Sequence, residues 1–167
     1  MKTLTVLLVA GMALAMGSCA TRDAAQVGAV DAAEAVAGVD FSAVMNRGWI
    51  LSEIRTDLQT VTLDRDNHIE QGFGDIFTLH FGEDSVHGVA MPNTFNGPYS
   101  LGADRSLTFG HMMTSLMLAL VEPEEITEYE FFSFLSHVSG WDLVDGNLEL
   151  RTATEGGTET ILVFVGN

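Results

Sequence analysis

A single cysteine, Cys19, stands in 167 residues, so no disulfide can form within the chain. Lysine occurs once, at Lys2, and the other cations are Arg22, Arg47, Arg55, Arg65, Arg105 and Arg151, spread along the sequence against 23 acidic residues. Phosphate backbones are bound by clustered basic side chains, so this balance excludes nucleic acid as a partner and makes anionic headgroups repel the body. The acid excess is first of all a solubility device. Apolar runs are also short. The longest, Leu4 to Met16, falls below the roughly 20 residues that a spanning helix needs. No nucleophile elbow, phosphate loop, His-Glu-x-x-His pair or EF-hand loop occurs. An enzyme is therefore not expected and no cofactor is implied; scattered Ser and Asp converging in space leave a hydrolase as the third-ranked reading.

The apolar run instead suits an export signal, with Lys2 as a minimal basic start and small residues at its end. Met16-Gly17-Ser18-Cys19 resembles the lipobox of bacterial lipoproteins, with Met16 where Leu or Val is usual. The resemblance implies cleavage after Ser18, residues 1–18 being the signal peptide, and acylation of Cys19 as the new N-terminus. A lone thiol in an oxidising compartment is otherwise a liability. The alternative is an ordinary secreted chain cut near Ala20. Removal of residues 1–18 deletes Lys2 and no acid, moving the formal charge from −16 to −17. The expected setting is the bacterial envelope, with the membrane reached through the N-terminal lipid. Ala20 replaces the Asp that retains some lipoproteins in the inner membrane, which favours the outer one.

From Ala20 to Asp40 the chain is rich in Ala, Val and Gly and has no aromatic residue, so it lacks material for a core. It reads as a tether, able to reach roughly 70 Å when extended, with a short amphipathic helix over Ala32 to Val39 as the alternative. Residues 41–167 have the size of one domain.

Within that domain, period-two alternation and turn residues mark strands. Trp49 to Ile54 is the first, with Trp49, Leu51 and Glu53 on one face and Ile50 and Ile54 on the other. Val61 and Leu63 suggest a second, followed by a turn at Asp66-Asn67-His68. Phe77, Leu79 and Phe81 return through Val86, Gly88 and Ala90, a register that sets Phe81 against Val86, Leu79 against Gly88 and His80 against His87. Tyr99 and Leu101 turn at Gly102 to Arg105 into Leu107 and Phe109. Asp145-Gly146 joins Trp141–Val144 to Asn147–Arg151 as a two-residue hairpin, and Gly156-Gly157 precedes Thr160–Val165. Two helices are predicted: Met112–Leu120, and Glu124 to Val138 with Pro123 at its first position, Gly140 as its stop and a stripe of Ile126, Tyr129, Phe132 and Leu135 that Phe131, Phe134 and Val138 widen. Antiparallel strands with one main amphipathic helix give an α+β class, a small curved sheet or partly closed barrel whose open side the helix plugs.

The stretch from Gly88 to Phe164 resembles the META/HslJ family of small envelope domains. The family's block appears as Gly88, Asn93, Phe95, Gly97 and Tyr99; then come Leu107-Thr-Phe-Gly110 with Met112-Met113, Glu128, Phe131 and Leu135 on the helix, and Gly146-Asn-Leu-Glu-Leu150. Trp49-Ile-Leu resembles the opening strand. The resemblance implies the fold, an association with envelope stress and drug tolerance, and no catalytic residues. Many relatives carry cysteines at the positions of Pro92 and Ala119, which implies a disulfide in them that this chain lacks.

The first functional reading is a non-catalytic, tethered module for an envelope protein or an apolar ligand. Its binding surface would comprise Asn93, Phe95, Gly97 and Tyr99, with a groove between Phe131, Phe134 and the facing strands. For the first four residues, plain turn chemistry and packing is the competing explanation. The second reading is a metal-binding protein using His80 with His87, whose β-carbons a cross-strand pair sets about 5 Å apart, or Met112, Met113 and Met117 as soft ligands beside His111. The competing explanations are a solvated histidine pair and core-filling methionines.

Overall fold

The computed structural model describes residues 40–118, 121–153 and 159–167. The signal peptide, Cys19, the tether and Gly156-Gly157 lie outside them. Among the described residues are ten antiparallel strands. β1 (Gly48–Thr56), β3 (Thr78–Phe81), β4 (Ser85–Val89), β5 (Thr94–Leu101), β6 (Leu107–Phe109), β8 (Val138–Val144), β9 (Asn147–Ala153) and β10 (Glu159–Gly166) follow one path in the order β6-β5-β4-β3-β1-β10-β9-β8. The short β2 (Thr60–Thr62) pairs with β1, and β7 (Met113–Thr114) with β5. The two end strands meet through a Ser106–Gly140 bridge and the Trp141 N–H on the Arg105 carbonyl at 3.0 Å. The curved sheet is therefore a nearly closed barrel, which removes most of the exposed strand edge.

Its interior is filled by rows of directly paired side chains. Leu51, Phe164 and Leu148 form one row, and Ile54, Leu162, Leu150 and Trp141 the next. Two residues separate Leu51 from Ile54 on β1 but one separates their partners on β10, because a bulge interrupts β1 between Leu51 and Glu53. The bulge corrects the sequence alternation: Ile54, not Glu53, joins the buried face. Glu53 instead takes Arg55, whose guanidinium also reaches Glu149 at 2.9 Å.

The β3–β4 hairpin makes the predicted Phe81–Val86 and His80–His87 pairs. Beyond them the Val89 N–H donates to the Thr78 hydroxyl at 3.0 Å. The Thr78 carbonyl oxygen lies 1.9 Å from where a β-carbon on Gly88 would sit, so the strands close here only over glycine. The Asp145-Gly146 turn forms as predicted, with φ of 52° and 84°, the left-handed pair that such a hairpin requires.

Aromatic residues plug both ends. A 3-10 turn at Phe41–Ala43 sets Phe41 within 4.9 Å of Trp141, 5.2 Å of Phe81 and 5.5 Å of Tyr99, centroid to centroid. Four residues back along β5, and just before β3, the ring of Phe131 lies 6.0 Å from Phe95 and 5.1 Å from Phe77.

Three helical expectations are corrected. Asp66-Asn67-His68 belongs to α1 (Arg65–Glu70), which the Asp64 side chain caps by accepting the Asn67 N–H. Met112–Leu118 is not helical: Met113–Thr114 adds to the sheet, because Leu116 to Val121 is apolar throughout and offers no polar face. The main helix, α2 (Glu128–Ser136), starts later than predicted, with a capping box between Thr127 and Glu130 where Pro123 had been placed as the start. It ends at His137, and Gly140 lies inside β8, its α-carbon under the Arg151 side chain. The buried stripe is Phe131, Leu135 and then Val138, spaced i, i+4, i+7, while Tyr129 is 82% exposed.

Candidate functional site

Among the described residues the barrel interior is occupied by side chains, and ligand-sized space lies on its outside. The first is a cleft of about 610 Å³ over β3, β4, β5 and β7, lined by His80, His87, Asn96 and Met113 among others. The cross-strand register puts the two imidazoles side by side, 5.1 Å between centroids and 11° from parallel. Burial, and then the neighbouring His87, push the His80 pKa below its ordinary value.

The second is a polar cleft of about 410 Å³ where α1 faces residues 121–125. His68, buried, sits between Arg65 and Glu125: Arg65 Nη1 lies 3.3 Å from Nδ1, and Glu125 Oε2 lies 3.2 Å from Nε2. Guanidinium only donates, so Nδ1 accepts from Arg65 and Nε2 faces the Glu125 carboxylate. Burial works against the Glu125 charge, but the Asp64 N–H, its own N–H and His68 outweigh it and hold the carboxyl below its usual range. Burial lowers the Arg65 pKa, with Asp75 and Glu125 opposing. Arg65 also donates to the carbonyls of Gly74 at 2.9 Å and Ile76 at 3.2 Å. These contacts tie three segments together and place no nucleophile beside the histidine. Sequence reading missed this group, because nothing in the spacing of His68 and Glu125 announces that they meet.

The third is a groove of about 480 Å³ between residues 114–118 and α2, lined by Leu116, Met117, Leu118, Tyr129 and Phe132. Leu116 is 97% exposed and Leu118 85%. A neighbouring apolar pocket of about 340 Å³ lies between His111-Met112 and Phe132.

The residues proposed from sequence as a binding surface do not share one. Phe95 and Phe131 are core. Gly97 packs beneath Met112, whose sulfur lies 2.6 Å from where a β-carbon would be. Tyr99 donates its hydroxyl to the Gly82 carbonyl at 2.7 Å, and burial followed by Asp84 raises its pKa. Phe134 lines a separate cleft of about 190 Å³ with Ile54 and Val61 of the facing strands, while Phe131 is buried and does not line it. Of the methionines, Met112 packs on the core, Met113 enters the histidine cleft, and Met117 lines the apolar groove, so they form no helical ligand set.

Asn93 is a clasp. Its side chain uses its full capacity: Nδ2 donates to Glu128 Oε2 at 2.9 Å and to the Met117 carbonyl at 3.1 Å, and Oδ1 accepts from Met117 N–H at 2.7 Å and Ser115 Oγ at 2.9 Å. The first residue of α2 and the 115–117 segment are thus joined to the residue after Pro92. Ala119, the other position at which many META/HslJ relatives carry cysteine, lies outside the described residues. Asn93→Ala removes four part-buried side-chain hydrogen bonds, each contributing about 0.5–1.5 kcal/mol, while the Asn93 backbone N–H still reaches Glu128. The expected result is a loss of about 3 kcal/mol, a melting temperature roughly 10 °C lower and faster hydrogen exchange at the Met117 amide.

Among solved structures the chain is similar to a protein from Burkholderia xenovorans, with 19% identity, 75% of this chain and 85% of that chain covered, and a TM-score of 0.54. A DUF4847 family protein from Bacteroides vulgatus ATCC 8482 matches with 16% identity over 72% of this chain and 92% of that one, at a TM-score of 0.47. The Burkholderia likeness extends to the fold. No curated protein matches the chain. The META domain family matches residues 42–164, from the turn before β1 to the inward Phe164 of β10. The chain belongs to the META domain family.

Proposed function

We propose that this protein is a lipid-tethered, non-catalytic envelope module that docks a protein partner in the groove between residues 114–118 and α2. The observation that carries the reading is the exposure of Leu116, Met117 and Leu118 beside Tyr129, on a body whose interior is otherwise filled. Contiguous exposed apolar surface of this kind marks a contact site. Glu128 lines the groove, and the whole chain carries a net charge of −16. Apolar surface edged by acid fits a partner segment that is apolar and bordered by basic residues, and disfavours an anionic bilayer. The lipobox-like Met16–Cys19 supports the tether, and Ala20–Asp40 supplies the reach.

Leu116→Asp with Leu118→Asp tests this. Both side chains are solvent-facing, so the double variant should melt within about 0.5 kcal/mol per site of the parent. In cells it should lose the chemically cross-linked species that the parent forms. A variant that keeps the same species overturns the reading, as does a parent whose groove becomes accessible only after residues 20–39 are removed.

A further inference from the structure

The segment that begins with β7 is held from one side. Met113 pairs with Asn96 and Thr114 with Phe95, and the Ser115 N–H donates to the Thr94 carbonyl at 3.0 Å. Beyond Thr94 the side chain of Asn93 takes over, accepting the Met117 N–H at 2.7 Å and donating to the Met117 carbonyl at 3.1 Å. It serves Met117 as a backbone residue of β5 would. In an antiparallel ladder, alternate residues turn their backbone groups toward the partner strand and the others turn theirs away. Ser115 and Met117 face β5, so Thr114 and Leu116 turn N–H and C=O to the opposite edge. Among the described residues no strand pairs with that edge.

An open edge is a template for another strand, and folded proteins guard it with charge or proline. This edge has neither. From Ser106 to Val121 there is no Asp, Glu, Lys, Arg or Pro, in a chain with 23 acidic residues. By contrast β2, the other strand off the main path, is flanked by Asp57 and Asp64. A trough accompanies the edge: Thr114 and Phe132 line both the 480 Å³ groove and the 340 Å³ pocket, so the two spaces adjoin along β7 with α2 as the far wall.

We infer that an extended segment of a partner protein adds to β7 as a further strand, bonding to Thr114 and Leu116 and laying alternate apolar side chains against Tyr129 and Phe132. The inference rests on the docking groove proposed above and specifies what enters it. Backbone bonds supply the affinity and alternate side chains the selectivity. The incoming strand carries Lys or Arg at its ends, because Glu128 lines the groove and the chain is at −16. A second copy of this chain would bring the same negative charge, and a lipid tail has no groups to bond the edge.

The probe is a seven-residue peptide of alternating valine and threonine with lysine at each end, added to the mature protein in detergent. It should slow hydrogen exchange at the Thr114 and Leu116 amides and leave the Ser115 and Met117 amides, already bonded, unchanged. Leu116→Pro removes an outward N–H and no bond to β5, whereas Leu116→Ala keeps that N–H and shortens the side chain. The proline variant should bind the peptide roughly tenfold more weakly than the alanine variant. A backbone N-methylated peptide should fail on the parent protein, which makes the test independent of any variant's folding. In cells, a photo-activatable residue at Leu118 should form its adduct in the alanine variant and not in the proline variant. No protection at the two amides overturns strand addition. An adduct kept by the proline variant, or lost equally from both, overturns it too and leaves the groove as a docking surface; no adduct in the parent removes both. A dimer of the free protein that Leu116→Pro dissolves assigns the edge to a second copy and overturns the partner proposed here.

Discussion

Cys19→Ala should abolish incorporation of an alkynyl fatty acid into the protein and shift the mature chain from the detergent to the aqueous phase on cloud-point partitioning. The size of the effect follows from transfer energetics. Each buried methylene contributes about 0.8 kcal/mol and a single acyl chain holds only marginally, whereas two long chains supply on the order of 20 kcal/mol, which no other feature of the described chain replaces. No helix among the described residues is long and apolar enough to cross a membrane. The acidic body has little attraction of its own for an anionic surface. If label persists on Cys19→Ala, acylation occurs elsewhere and the lipobox reading of Met16–Cys19 fails.

Phe131→Ala should cost about 3–5 kcal/mol, the range for deleting a buried ring and leaving a cavity. Against a typical domain stability of about 5–15 kcal/mol, this variant sits near the edge of folding. The ring is fully buried and stacks among Phe77, Phe95 and Phe132, closing one end of the barrel. Tyr129→Ala, two residues earlier on the same helix, should stay within about 0.5 kcal/mol. The contrast reports the helix phase: were Tyr129 inward, as its spacing with Ile126 and Phe132 suggests, the two variants would exchange behaviour. Urea unfolding of both, with constant slope, measures it.

That helix phase shows where sequence reasoning reaches its limit. Aromatic residues crowd 129–134, so periods of three and four both find apolar matches, and only packing against Phe77 and Phe95 selects one. The hairpins at Gly82–Ser85, Gly102–Arg105 and Asp145-Gly146 were legible because turn chemistry and period-two alternation are local. The β1 bulge was not, since the extra residue is visible only against β10. Leu116–Leu118 was read as part of the Met112–Leu120 helix. Its lack of any polar phase was the available signal that this assignment does not fit.

The site was legible in pieces. His80 opposite His87 followed from the hairpin register, and the candidate methionines were named, but Met113 reaches the edge of their cleft only through β7, a two-residue strand that periodicity cannot detect. Asn93 was identified as conspicuous, yet its partners, Ser115, Met117 and Glu128, are distant in sequence, and their convergence makes it a clasp beside the groove. The residues that line the apolar groove were hidden by the same misassignment that hid β7.

The docking surface is tested most directly by a photo-activatable residue placed at Leu118 of the tethered protein in living cells, compared with one at Leu58. Both positions are exposed and apolar, 85% and 89%, but Leu58 lies in the β1–β2 turn, outside the groove. The account predicts one discrete protein adduct from position 118 and none from 58. Identical adducts from both positions, or none from 118, would contradict it.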